Sequence, residues 1–168
     1  QEQIQPRRDG ESSFDLLIMK EIELTRGQKT IVDDIDYDVL KKKKWCALWT
    51  GRAWYAFNRT YLMHRWLIGA SGNQKVDHIN GETLDNRRSN LRICTTKENG
   101  RNRGPQKNGT SGFKGVTWEK RRSHWTAQIK IDAGTIHLGK FVTKELAALA
   151  YNEAARKFHG EFARLNQI

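Results

Sequence analysis

The sequence predicts an α+β chain built of small modules: hairpins and a short strand-loop-strand-helix unit first, then a three-stranded antiparallel sheet packed on one helix. Three observations carry this. Only 37% of the 168 residues are apolar, too few for a single large core. Most of the apolar residues alternate with polar ones in short runs separated by turn residues, the pattern of paired strands. Residues 100–111 (GRNRGPQKNGTS) contain no apolar side chain, and beyond them two strands lead into one amphipathic helix.

Residues 1–13 are polar and without period, so they read as a disordered leader. LIMKEIEL and KTIV, around Arg26-Gly27, form a first hairpin, and Asp34 to Lys42 a short helix. WCALW and AWYAF, joined by Thr50-Gly51-Arg52, form a second hairpin. Six tryptophans need cores or flat partners, and most are expected in cores. YLMHRWLIGA turns from strand into short helix, and VDHINGETLDNRRSNLRICTTKENGRNRG follows as the chemical centre.

A first domain is thus expected over residues 14–104, a linker over 105–110 and a second domain over 111–168, the two moving independently. In the second, Trp125, Ala127, Ile129 and Ile131 form an apolar strand face with Ile136 and Leu138. Thr126, Gln128, Lys130, Thr135 and His137 form the opposite, offered face. A helix from Thr143 to Phe158, ending before Gly160, is expected to lay Leu146, Ala150, Ala154 and Phe158 on the apolar face.

The net charge of +11 is spread over most of the chain, which makes a polyanion the expected partner. The only cysteines, Cys46 and Cys94, form no CxxC pair, so neither a disulfide framework nor a structural zinc site is expected. The apolar runs are too short to span a bilayer, and no signal sequence opens the chain. The expectation is a soluble protein inside a bacterium, a phage-infected host or an organelle.

Cutting a phosphodiester needs an activated water and a cation to neutralise charge on the phosphate and leaving oxygen. Asp77-His78 ends the short strand KVDH, and a carboxamide oxygen of Asn99, in the helical stretch TTKEN, could return to Asp77. Asn90, in DNRRSNLR, carries an amide able to tie loop backbone across the histidine. Any one of these alone reads better as a turn residue or helix cap; together they change the balance. The run MHR, VDHINGETLDNRRSNLR and TTKEN resembles the HNH nucleases of ββα-metal fold, particularly phage and intron-encoded homing endonucleases, with a metal-site core of about residues 61–104. The resemblance implies that His78 is the general base, that Asp77 and Asn99 ligate one Mg²⁺ or Mn²⁺, and that Asn90 is structural. His64 is expected to support the site rather than ligate. Arg65, Arg87, Arg88 and Arg92 surround it and are expected to hold phosphates, as are Arg101 and Arg103 in the segment laid along the backbone.

FKGVTW, WTAQIKI, HLGKF and AALAYNEAARKFHG resemble the plant ethylene-response-factor (AP2/ERF) DNA-binding domain over residues 111–166. That resemblance assigns Lys114, Thr117, Gln128, Lys130, Thr135 and His137 to base- and phosphate-contacting positions. Lysine cannot reproduce the bidentate guanine contact of arginine, so no target follows. The expected function is a site-specific homing-type endonuclease on double-stranded DNA, a monomer or weak dimer nicking one strand per site. The alternative is a non-catalytic sequence-specific regulator. An RNA-binding protein ranks last, because the aromatic strand pattern it requires is missing.

Overall fold

The computed structural model describes residues 19–106 and 109–168, so the expected leader, the first two residues of the first hairpin and the centre of the linker fall outside the described residues. β1 (Met19–Glu23) and β2 (Lys29–Asp33) pair antiparallel, and α1 (Asp34–Leu40) follows directly. β3 (Cys46–Trp49) and β4 (Trp54–Phe57) make the second hairpin, and α2 (Met63–Leu67) the short helix after it. β5 (Lys75–His78) pairs antiparallel with β6 (Leu91–Cys94), and α3 (Thr96–Arg101) packs back on both strands. A reciprocal capping box between Thr95 and Glu98 starts α3.

One core joins these pieces. Ile22, Leu24 and Val32 from the first hairpin meet Leu40, Trp45, Ala47, Ala56, Met63, Leu67 and Leu91, with Val76 and Leu84 packed against them. The hairpins therefore supply the apolar mass that the strand-loop-strand-helix unit lacks. Cys46 and Cys94 are both free thiols.

The tryptophans depart from expectation. Only Trp45 is fully buried, while Trp49, Trp66 and Trp118 are exposed. Trp49 pairs across the β3–β4 hairpin with Trp54, and Trp118 across the next sheet with Trp125, at ring separations of 5.1 and 5.0 Å. Cross-strand stacking at hairpin ends accounts for rings that a small core cannot hold.

The second module is an antiparallel sheet of β7 (Val116–Glu119), β8 (His124–Ile131) and β9 (Gly134–Phe141), covered on one face by α4 (Lys144–His159). Thr143 caps the start of α4 through the Leu146 N–H, and Gly160, at φ 55°, ends it. The buried helix face differs from the one expected. It runs through Ala147, Ala148, Tyr151, Ala154 and Ala155, whereas Leu146 and Phe158 are exposed and Ala150 is half-buried. A strict four-residue ladder drifts round a helix of 3.6 residues per turn. The bulky sheet side chains Trp125, Leu138 and Phe141 leave room for methyl groups rather than leucines.

The modules are in contact, contrary to the independence their linker composition implies. Arg92 Nη1 donates to Glu161 O at 2.7 Å, Arg164 Nη1 to Asn80 O at 2.8 Å, and Lys114 Nζ to Arg101 O. Asp132 forms ion pairs with Lys97 and Arg101 of α3. Linker composition reports only on the tether; docking depends on the surfaces at its ends.

Gly115 (φ 74°) sits where a Cβ would stand 2.2 Å from Tyr151 and 2.5 Å from Gln128 O. Gly112, at φ 73°, has nothing within 4 Å. Urea unfolding should therefore show Gly115→Ala costing upwards of ~3 kcal/mol and Gly112→Ala only about 1–2 kcal/mol, the left-handed backbone strain alone. Equal losses at the two positions would contradict the close approach of α4 to the sheet.

Candidate functional site

The β5–β6 register sets Asp77 opposite Arg92 and His78 opposite Leu91. Because adjacent strand residues point to opposite faces, Asp77 turns towards α3 while His78 turns towards β4 and α2. There the His78 ring lies 5.0 Å from His64 and 6.2 Å from Tyr55, with both histidines buried.

His78 Nε2 lies 3.2 Å from Asn86 Oδ1. Asn86 Nδ2 in turn donates to Thr30 Oγ1 at 2.7 Å, and Thr30 Oγ1 donates to Leu84 O at 2.7 Å. Every donor in this chain points the same way, so Nε2 carries the proton and Nδ1 holds the lone pair. Burial pushes the His78 pKa down; the hydrogen bond to Asn86 and the charge of Asp77 oppose the shift. The ring is thus held neutral with one defined basic nitrogen.

Asn90 closes the loop after His78. Its carbonyl oxygen accepts the Asn80 N–H at 2.9 Å, and its amide donates to Asp85 O at 2.8 Å. Asp85 further accepts from Asn80 Nδ2 and, bidentately, from Arg87. The loop is bound to the edge of β2 by Ile31 N–H to Leu84 O and Asn86 N–H to Ile31 O, at 2.9 and 2.8 Å. That bond brings Thr30 to Asn86.

On the other face, Asp77 Oδ2 accepts from Arg92 Nε and Nη2 at 3.0 and 2.7 Å. Asn102 Nδ2 stands 3.0 Å from both Asp77 oxygens, 2.9 Å from His78 O and 3.2 Å from Ile79 O. The structure thus brings Asn102, the residue after α3, to Asp77. Asn99 lies one helical turn earlier, half-buried, and among the described residues its side chain makes no hydrogen bond.

The four surrounding arginines are all engaged within the fold, although Arg88 stays exposed. Arg65 donates to the carbonyls of Gln74, Ala70 and Gly72, Arg87 pairs with Asp85, Arg88 with Asp36 and Arg92 with Asp77. Their engaged groups fasten loops, a role that composition could not separate from phosphate contact. Arg101 pairs with Asp132, and Arg103 is exposed. On the second module Thr117, Gln128, Lys130, Thr135 and His137 are all exposed, Gln128 opposite His137 and Lys130 opposite Thr135 across β8–β9. Lys114 is half-buried at the seam.

Asn86, Thr30, Asn102 and Arg164 were not singled out from the sequence. Asn102 had a signal, its position three residues after Asn99 on one helix face. Thr30 had none, since 56 residues separate it from Asn86.

The HNH endonuclease family model matches residues 70–101. Protein 3.8 of Escherichia phage T7 is 35% identical over 89 residues, 53% of this chain and 73% of that protein. An uncharacterized HNH endonuclease of Acanthamoeba polyphaga mimivirus is 36% identical over 93 residues, 55% of this chain and 47% of that protein. Dehydration-responsive element-binding protein 2C of Arabidopsis thaliana is 39% identical over 66 residues, 38% of this chain and 19% of its own length. No solved structure matches significantly. The chain belongs to the HNH endonuclease family, and its second module is similar to part of plant AP2-type DNA-binding proteins.

Proposed function

We propose that this chain is a site-specific, homing-type endonuclease on double-stranded DNA. In this reading the 111–168 module selects the site and the hairpin of Asp77 and His78 hydrolyses one strand. One observation carries the proposal: a buried histidine with a defined free nitrogen, adjacent to a buried carboxylate on one short hairpin. His78 Nδ1 takes the proton from the attacking water, with Asn86 and Thr30 holding the ring and Asn90 fixing the loop. The products carry 5′-phosphate and 3′-hydroxyl ends. One site per chain makes a monomer a nicking enzyme.

The residues fit a hard divalent cation. Around Asn102 Nδ2, which has two hydrogens, four oxygens crowd at 2.9–3.2 Å: both of Asp77 and the carbonyls of His78 and Ile79. Such an oxygen-rich set suits Mg²⁺ or Mn²⁺ better than zinc. Asp77 would hold one ion with a carboxamide oxygen from α3 or just beyond it, from Asn99 by family pattern or from Asn102 by contact. Bound there, the ion neutralises charge on the phosphate and the leaving oxygen.

The likeness to plant DNA-binding proteins favours one second reading, a regulator that binds without cutting. No helix among the described residues is long and apolar enough to cross a membrane. The proposed setting is the interior of a phage-infected or similar cell.

Supercoiled plasmid with Mg²⁺ or Mn²⁺ should convert to open circle, and EDTA should stop it. His78→Ala should lower the rate by about 10²–10⁴ with DNA affinity retained. Undiminished nicking by this variant removes the assignment, and binding without any nicking by the wild type promotes the regulator. Asn86→Ala should lower the rate by roughly tenfold through the ring's freedom alone. Asp77→Asn is a cleaner test than Asp77→Ala, because its amide oxygen can still accept from Arg92 although the ion pair is lost in both. Titrating Mn²⁺ against Asn99→Ala and Asn102→Ala identifies the carboxamide ligand as the one whose loss raises the metal concentration required.

Burial above all, with His78 and Arg65 as neighbours, pushes the His64 pKa from 6.5 down to about 3. A folded value below the unfolded one means that this histidine's contribution is fully present above pH 6.5 and is lost as pH falls. At pH 5 His64 should account for about 2 kcal/mol of lost stability relative to neutral pH. Urea midpoints of wild type and His64→Gln at both pH values test this: the variant's pH dependence should be shallower, and an identical slope would contradict it.

A further inference from the structure

Resting on the nuclease reading, we propose that Arg103, Lys114 and Arg164 form one anion seat across the seam between the modules, holding a DNA backbone phosphate beside the loop that follows His78. Arg164, from the second module, reaches into the first: its Nη1 donates to Asn80 O at 2.8 Å. Its guanidinium nitrogens stand 3.4 and 3.5 Å from where a Cβ of Gly81 would lie, so a side chain at that position would press on it. Arg103 directly follows Asn102, the residue in contact with Asp77, and its charge acts on both Lys114 and Tyr55, the ring beside His78.

Lys114 completes the group. Its backbone is clamped by Asn166, which accepts the Lys114 N–H at 2.7 Å and donates to the Lys114 carbonyl at 3.1 Å. Asn166 is locked in turn to Asn152 of α4 by bonds of 2.7 and 2.9 Å. Lys114 and the segment carrying Arg164 are therefore two ends of one rigid polar frame, preset before any ligand arrives.

The charge balance separates these cations from the others nearby. Arg87, Arg88, Arg92 and Arg101 each face a carboxylate, whereas among the described residues Arg103, Lys114 and Arg164 pair with none. Burial, with repulsion from Arg164 and Arg103, holds the Lys114 pKa down to about 8. Lys114 and Arg164 are half-buried, and holding such like charges together without a counter-ion is costly in the free protein, a cost that an entering anion relieves. A phosphate of the substrate strand is the anion at hand, since the site beside it acts on DNA. The module that reads DNA thereby supplies part of the grip at the module that cuts it.

The experiment uses the full chain and a fluorescent duplex of about 30 base pairs, with affinity measured by anisotropy across a range of KCl. Arg164→Gln and Lys114→Gln should each weaken binding about tenfold and lower the slope of log affinity against log salt by about 1. Because the seat holds one phosphate, the double variant should resemble either single one, and Arg164→Lys should restore most of the slope. Additive losses in the double variant would mean separate contacts and overturn the shared seat. Unchanged slopes in all variants would overturn the contact altogether. Plasmid nicking by the wild type is scored in parallel: binding with the expected slopes but no nicking removes the nuclease reading and leaves the seat. Normal nicking with unaltered variant slopes removes the seat alone.

Discussion

A buried ion pair, Asp77 with Arg92, sits where the requirements on this molecule meet. It fixes the register of β5 against β6, since the two residues face each other across the hairpin. It also joins the modules, because the same guanidinium donates to Glu161 O and lies 4.0 Å over the Phe162 ring. Asp77 is in turn the carboxylate that the proposed function gives to a cation. Pairing two buried charges offsets the desolvation that either alone would suffer, a penalty of several kcal/mol. Anything that draws on the carboxylate therefore acts also on the strand register and on the seam.

The same logic governs the other face. The base proposed at His78 must be neutral, oriented and single in tautomer, and each condition has a separate physical origin. Burial keeps it neutral, the Asn86–Thr30 chain orders its protons, and the Asn90–Asp85 ties hold the loop. The first hairpin is thus part of the site: its β2 edge carries Thr30 and anchors the loop through Ile31. A small polar module can keep such a network in place because neighbouring hairpins supply the apolar core against which it packs.

The positive charge divides into two populations. Some of it is neutralised within the fold, where arginines bridge loops to carboxylates and carbonyls. The rest is left for a partner, along the exposed polar face of β8 and β9 and at the seam. Only the unneutralised part contributes to DNA affinity by counterion release, so the effective charge is smaller than the net +11 implies.

The α+β class, the hairpins and the three-stranded sheet under one helix were legible in the sequence, because they follow from alternation and turn residues, and a short local pattern singled out Asp77, His78 and Asn90 as candidates. The sequence by itself also determined which residues of the second sheet face outwards, since strand alternation has a period of two. The tertiary structure alone decided which arginines are consumed by ion pairs, that Asn102 rather than Asn99 meets Asp77, that Thr30 reaches Asn86, and that Arg164 crosses between modules. It also decided which stripe of α4 is buried, and that most tryptophans stack at hairpin ends. The reason is physical: local spacing fixes the direction in which a side chain leaves its own element, but pairing between distant segments is set by how separate elements pack, and no window of sequence contains both partners.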